Sequence, residues 1–258
     1  MTLWIIGGTQ ESAMLAQAIA PLSLPCLITV TTESARSLYP ISPNLQLWVG
    51  TLQPDTLPGF LQQHQITGIL DASHPFAVAV SEMAIAASQQ FQIPYLRYER
   101  ATSNSQTIQE NLLEFDSFEA LLDQDIVRGE RVLLTIGYRS LPLFQAWQTQ
   151  ATLFARILPS AVALEAALAA GFTPDRLMAM RPPFSLELER SLWQHWQISM
   201  VVTKASGAPG GEEIKRQLAE ELGVKLVVIT RPVVQYPEMT GEVAIALKFC
   251  QKHSTIQH

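Results

Sequence analysis

The sequence predicts an α/β protein of two halves, each a parallel sheet covered by helices on both faces. Three observations carry that prediction. Short apolar, β-rich runs alternate with helical patterns along the whole chain. The first run, Leu3-Trp4-Ile5-Ile6, breaks straight into Gly7-Gly8-Thr9-Gln10-Glu11 and a helical stretch from Ser12 to Ala20, the way a Rossmann-like unit opens. A chain of 258 residues, 48% hydrophobic, most readily forms two domains of roughly 100 to 150 residues each.

In the first half, strands are expected at Trp4–Ile6, Leu27–Val30, Leu45–Val49, Gly68–Asp71 and Tyr95–Tyr98, each a short run rich in branched or aromatic residues. With a turn or helix near Ser34–Tyr39, helices fill the gaps at Ser12–Ala20, Pro54–His64 and Phe76–Phe91. The last is read as starting at Pro75, a residue suited to a first turn, with Ser73 as its cap. The polar, aperiodic stretch Ala101–Asn111 reads as a linker, so the domains are set at 1–115 and 116–258. Alternation then resumes: helix Ser117–Gln124, strand Arg131–Ile136, helix Ser140–Gln148, strand Thr152–Ile157, helix Ala161–Ala170 and a short run at Leu177–Met180. A helix near Ser185–Trp196, strand Ser199–Thr203, helix Gly211–Leu222 and strand Leu226–Thr230 complete it. The polar stretch Lys252–His258 is expected to fray.

Composition removes several functional classes. The net charge is −6 and the cations are scattered, which argues against nucleic acid or an anionic membrane as partner. Cys26 and Cys250 stand far apart, with no C-x-x-C and no histidine cluster, so neither a disulfide framework nor a metal site is indicated. A soluble protein of the reducing cytoplasm is expected, since no apolar run reaches the ~18 residues of a spanning helix and no basic leader opens the chain.

Ligands of parallel sheets bind beyond the carboxyl ends of strands, so the residues just after each strand are the candidates. After the first strand, N–H groups of Gly7, Gly8, Gln10 and Glu11 and the Thr9 hydroxyl suit a pyrophosphate at a helix N-terminus. After the second, Thr31, Thr32, Ser34 and Arg36 suit a 2′-phosphate, although Glu33 stands among them. Asp71-Ala72-Ser73-His74-Pro75-Phe76 sets a histidine at the mouth of the site, able to donate a proton or to serve only as a turn residue. In the second half, Gly137-Tyr138-Arg139 follows one strand. Lys204-Ala205-Ser206-Gly207 with Gly210-Gly211 follows another, suited to carboxylates or phosphates. The latter is not a P-loop, because its lysine precedes the glycines. No Tyr-x-x-x-Lys pair and no G-x-S-x-G elbow is present.

Taken together, Ile6–Glu11, Asp71–Ala77, Ile93–Arg100, Leu134–Gly137, Phe154–Pro159, Pro183–Ser185 and Val202–Gly207 resemble the precorrin-6A reductase family of corrin biosynthesis, in family order over nearly the whole chain. Two departures stand out: Gln10 replaces a common glycine, and Thr31–Arg36 lacks the glycine many relatives carry before that arginine. The resemblance implies two Rossmann-like domains with an interdomain cleft. It implies a reductase that transfers a hydride from NADPH, with NADH as the alternative, to one double bond of precorrin-6A or its cobalt form.

Carried over by position, Gly7, Gly8, Thr9, Gln10 and Glu11 belong to the nucleotide turn and Thr31, Ser34 and Arg36 to the adenosine end. His74, Pro75 and Phe76 belong to the nicotinamide side. The substrate's many carboxylates are expected to meet Arg100, Tyr138, Arg139, Arg156, Lys204, Ser206, Gly207 and Arg231, with positive charge gathered in the cleft. His74 and Lys204 are the expected catalytic residues, supplying a proton or stabilising charge. A monomer or weak homodimer is expected, with the tetrapyrrole as the only partner. The rival readings are another NAD(P)-dependent reductase or epimerase of a smaller substrate and a nucleotide-sensing module without chemistry.

Overall fold

The structure, a computed structural model, describes residues 1–100, 111–207 and 210–254. Most of the linker expected at 101–111, the residues Ala208 and Pro209 and the last four positions therefore lie outside the described residues.

The first half folds as expected, with small shifts at the ends of elements. Strand β1 (Thr2–Ile6) leads to helix α1 (Gln10–Ile19), then β2 (Cys26–Val30), a 3-10 segment at Glu33–Leu38, β3 (Leu45–Val49), α2 (Leu57–Gln63), β4 (Ile66–Asp71), α3 (Val78–Phe91) and β5 (Tyr95–Tyr98). Alternation along β1 divides the core. Leu3 and Ile5 point into a cluster with Leu15 and Ile19 of α1, while Trp4 and Ile6 point into one with Phe60 of α2 and Ala84 of α3. Full burial of each such aliphatic side chain contributes roughly 1.5–3 kcal/mol. The indole of Trp4, wholly buried, donates to Thr29 Oγ1 at 2.9 Å, so its N–H is not left unsatisfied.

Helix α3 does not start at Pro75. It starts at Val78, and Pro75 sits in a turn that closes with the Ala77 N–H on the His74 carbonyl at 2.7 Å. Ser73 caps nothing, because its hydroxyl is buried against Arg97 and Ser81. The cause is local: the Asp71 carboxylate takes the Ser73 N–H at 3.0 Å and His74 Nδ1 takes the Phe76 N–H at 3.2 Å, so the chain turns before it can coil.

The second half contains β6 (Leu112–Phe115), α4 (Phe118–Asp123), β7 (Arg131–Thr135), a 3-10 segment at Tyr138–Trp147, β8 (Thr152–Ile157), α5 (Ala161–Ala169) and β9 (Leu177–Ala179). It continues with α6 (Leu186–His195), β10 (Met200–Lys204), α7 (Glu212–Leu222) and β11 (Lys225–Ile229). The helix expected at Ser140–Gln148 is a 3-10 segment instead. Pro142 inside it offers no N–H and crowds the preceding turn, which disfavours α geometry. Leu133, Phe154, Val201 and Leu226 of this sheet pack with Trp193 of α6 and Leu218 of α7.

The chain then returns to the first sheet. Strand β12 (Met239–Thr240) pairs with β5, and helix α8 (Val243–Ser254) buries Ala246, Phe249 and Cys250 in the cluster that holds Leu3 and Ile5. The two units are therefore Met1–Ala101 with Pro232–His258, and Thr102–Arg231, which replaces the boundary expected at 115/116. Strand β6 belongs with β11 by register, so the crossing lies before it. Lys252–Ser254, expected to fray, are helical, and the His253 carbonyl accepts from Thr67 Oγ1 at 2.6 Å.

All pairs in both sheets are parallel. The first runs β3-β2-β1-β4-β5-β12 and the second β9-β8-β7-β10-β11-β6. Each reverses direction once, between β1 and β4 in the first and between β7 and β10 in the second. These are the points where open parallel sheets form a crevice. Both cysteines are free and buried, and burial raises both thiols, that of Cys250 to about 12. Among the described residues, no helix is long and apolar enough to cross a membrane and no group of three or more His, Cys, Asp or Glu is placed to hold a metal ion.

Candidate functional site

At the reversal of the first sheet, Gly7 and Gly8 carry the chain out of β1, and Gly8 adopts φ +100, which a side chain would strain. Thr9 then caps α1: its Oγ1 accepts from the Ser12 N–H at 3.0 Å, and Ser12 Oγ accepts from the Thr9 N–H at 3.1 Å. The Thr9 hydroxyl donates across the reversal to the Ala72 carbonyl at 2.8 Å. That spends the proton expected to meet a pyrophosphate. A residue the sequence reading passed over, Tyr39, lies beneath the turn, its Oη 2.7 Å from both the Gly8 N and Ser12 Oγ. The N–H groups of Gln10 and Glu11 take no acceptor among the described residues, so the turn retains donors for an anion.

The loop after β2 is exposed at Thr31, Thr32, Glu33, Ser34 and Arg36. Arg36 Nε pairs with Glu33 Oε1 at 2.5 Å, and the two side chains are 46% and 75% exposed. Such a surface pair is worth roughly 0–1 kcal/mol, so Arg36 can be drawn away by a stronger anion.

Beyond β4, a wholly buried ion pair supports the His74 turn. Asp71 accepts from Arg97 Nη1 at 2.9 Å, Ser81 Oγ at 2.6 Å and the Tyr95 hydroxyl at 2.7 Å. Arg97 also reaches Ser73 Oγ at 3.0 Å and Glu99 Oε2 at 2.7 Å, and its guanidinium lies 5.1 Å from the Tyr236 ring centre. An arginine in the apolar run Tyr95–Tyr98 and an aspartate closing Ile66–Asp71 were the available signals, since buried charges need partners. His74 itself is exposed. Its Nδ1 accepts the Phe76 N–H, so a neutral ring carries its proton on Nε2. Arg100, expected among substrate contacts, lies beside α1: Nη2 is 2.8 Å from Met14 Sδ, and the hydrogen bond to the Tyr98 hydroxyl, with a smaller part from the Glu11 carboxylate, holds the guanidinium pKa up.

The reversal of the second sheet carries cations. Lys204, the last residue of β10, donates to Ser140 Oγ at 3.2 Å and lies 5.5 Å from the Phe118 ring centre. Burial, and then the Arg139 charge, lower its pKa. Arg139 is exposed, over the Tyr138 ring at 5.6 Å, and Arg231 Nε donates to the Ala205 carbonyl at 2.8 Å.

The described residues at both ends of the glycine-rich loop are held by hydrogen bonds. Glu212 Oε2 takes the Gly207 N–H at 3.0 Å, Lys215 Nζ donates to the Gly210 carbonyl, and Ser206 Oγ reaches back to the Lys204 carbonyl at 3.3 Å. Arg156, expected at the substrate, is committed elsewhere. It is 8% exposed, ion-paired to Glu189 and 4.0 Å from the Phe184 ring centre. Sequence gave it a place at a strand end but not the direction of its side chain. Tyr39, Asp71, Arg97, Ser140, Glu189, Glu212 and Lys215 are the supporting residues that the sequence reading did not assign.

A family model described as precorrin-6x reductase CbiJ/CobK matches residues 2–251. The chain is 46% identical over 255 residues to the cobalt-precorrin-6A reductase of Synechocystis sp., covering 98% of this chain and 97% of that protein. It is 29% identical to the cobalt-precorrin-6A reductase of Priestia megaterium, covering 90% and 91%. In fold it is similar to a solved structure of CobK precorrin-6A reductase, with a TM-score of 0.79 and 24% identity over 99% of this chain and 98% of that one.

Proposed function

The chain belongs to the precorrin-6x reductase family, a reductase of corrin biosynthesis, and from that premise we propose that it reduces cobalt-precorrin-6A with NADPH. The cobalt form is favoured by the 46% identity to the Synechocystis reductase over nearly the full length of both proteins. The observation that carries the cofactor reading is the turn after β1, at the reversal of the sheet, where the Gln10 and Glu11 N–H groups take no acceptor among the described residues.

In this reading Gly7 and Gly8 let the pyrophosphate approach, and the N–H groups of Gln10 and Glu11 hold it. Thr9 shapes the turn and does not donate. Thr31, Ser34 and Arg36 receive the 2′-phosphate, for which Arg36 releases Glu33. His74, Pro75 and Phe76 line the nicotinamide side. When bound, NADPH supplies the hydride that saturates one double bond of the macrocycle.

The chain's own residues orient the ring and handle a proton. Tyr138, Arg139, Lys204, Ser206, Gly207, Arg100 and Arg231 are the partners for its carboxylates, and Arg156 leaves that set because Glu189 holds it. In this reading the proton donors are His74 at Nε2 and Lys204 at Nζ, whose pKa burial and then the Arg139 charge bring down towards the working range. The residues reside in a soluble, cytoplasmic protein that acts as a monomer or weak homodimer.

The test is optical: NADPH and NADH oxidation with cobalt-precorrin-6A and with metal-free precorrin-6A. Fastest consumption with NADPH and the cobalt form is expected. No consumption of either nucleotide with either ring would defeat the proposal.

A further inference from the structure

We propose that Tyr39 is a positioning residue for the dinucleotide, locking the glycine turn to the loop that carries Arg36 so that phosphate turn and 2′ loop act as one body. The inference rests on the cofactor reading above and deepens it.

A count of protons carries the argument. Ser12 Oγ donates to the Thr9 carbonyl at 2.7 Å, so the proton between Ser12 Oγ and Tyr39 Oη comes from the tyrosine. The Thr9 hydroxyl proton goes to the Ala72 carbonyl, and the Gly8 N–H goes to Tyr39 Oη. The Gly7 N–H goes to the Thr29 carbonyl at 2.9 Å. Each hydroxyl proton of the turn is spent, which leaves Gln10 and Glu11 as its donors to a ligand.

Tyr39 also explains why Gly7 must be glycine. A Cβ there would stand 2.4 Å from Tyr39 Oη, closer than its next neighbours, Ile28 Cγ2 at 3.0 Å and the Thr29 carbonyl at 3.2 Å. Tyr39 follows directly on the 3-10 segment Glu33–Leu38, and its N–H closes that segment on the Arg36 carbonyl at 3.1 Å. One side chain thus joins the turn expected at the pyrophosphate to the loop expected at the 2′-phosphate. Burial raises the phenol's pKa, which keeps its proton on at neutral pH.

The experiment is fluorescence titration of NADPH and NADH into the substrate-free protein, with steady-state kinetics alongside. Tyr39→Phe is expected to weaken NADPH binding about tenfold, the scale of one lost hydrogen bond, and to narrow the NADPH-over-NADH preference. The KM for NADPH rises with it, while kcat at saturating NADPH stays within about twofold. Ser12→Ala, which removes the tyrosine's acceptor together with the Ser12 contacts to Thr9, is expected to weaken NADPH binding at least about threefold and stands in should Tyr39→Phe fail to fold. Gly7→Ala is expected to lower the melting temperature less in the Tyr39→Phe background than in the wild type.

Unchanged NADPH affinity in Tyr39→Phe or Ser12→Ala overturns the role of Tyr39, as does an equal cost of Gly7→Ala in both backgrounds. Failure of the wild-type protein to bind either nucleotide overturns the cofactor reading itself, and this inference with it.

Discussion

The two sheets share one strand order but differ in what they present at the point of reversal. In the first, β1 passes through two glycines into a capped α-helix, and the reversal is bridged by a neutral contact from Thr9 to the Ala72 carbonyl. In the second, β7 passes through Gly137 into a 3-10 segment, and the bridge is the ammonium of Lys204 on Ser140. The first half thus offers backbone N–H groups, suited to phosphate. The second offers cations, suited to carboxylates. Topology places the crevice, whereas the residue types at four strand ends decide which anion each crevice suits.

The largest test of that contrast concerns the buried ion pairs beneath each site. Arg97→Met leaves the Asp71 carboxylate without its cation, and should cost about 3–5 kcal/mol, read as a lower urea midpoint. Arg156→Met should cost a similar amount through Glu189. A loss below about 1 kcal/mol in one half only would show that this half does not depend on its pair.

Lys215 gives the second test. Burial, and then the Arg156 charge, bring its pKa down from 10.5 to about 8. Between those values the unfolded chain holds the proton and the folded chain does not, so unfolding free energy rises with pH across the window, by about 3 kcal/mol. Lys215→Met should flatten the rise, measured as melting temperature from pH 7.5 to 10.5, and parallel curves for the two proteins would count against it. The first half, where no lysine is buried in this way among the described residues, contributes nothing comparable.

Lys204→Met sharpens the functional side. It should lower kcat about 100-fold and leave NADPH affinity in place, the reverse of Tyr39→Phe. Loss of NADPH binding in Lys204→Met would break the division between halves. The smallest effect belongs to Gly137→Ala. Nothing lies within 4 Å of a Cβ there, but φ is +79 and ψ 157, a region nearly restricted to glycine, so about 1–2 kcal/mol of stability should be lost. Gly7→Ala meets Tyr39 Oη as well and should cost more.

Most of the fold was legible because β1, β2, β4, β5, β7, β8, β10 and β11 are apolar runs whose period shows without knowledge of their neighbours. Strand β12 was not, since its two residues are a strand only by pairing with β5 across an intervening unit. Helix α8 was within reach: Val243, Ala246, Leu247 and Cys250 follow helical spacing, although only the polar end from Lys252 was assigned, as a frayed tail. The start of α3 was misplaced because the pull of Asp71 on the Ser73 N–H competes with the helix, and no local propensity registers that competition.

By itself the sequence determined the alternation of strands and helices, the parallel sheets, the glycine turn and which residues stand at strand ends. These depend on periodicity and on backbone freedom, both local properties. Only the tertiary structure decided what those residues do. Thr9 spends its proton on a carbonyl 63 positions away, Gly8 meets a tyrosine 31 positions away, and Arg156 turns inward to Glu189 33 positions on. The reason is that a hydroxyl proton or a buried charge must find a partner in space, and folding, not spacing along the chain, selects which partner is near.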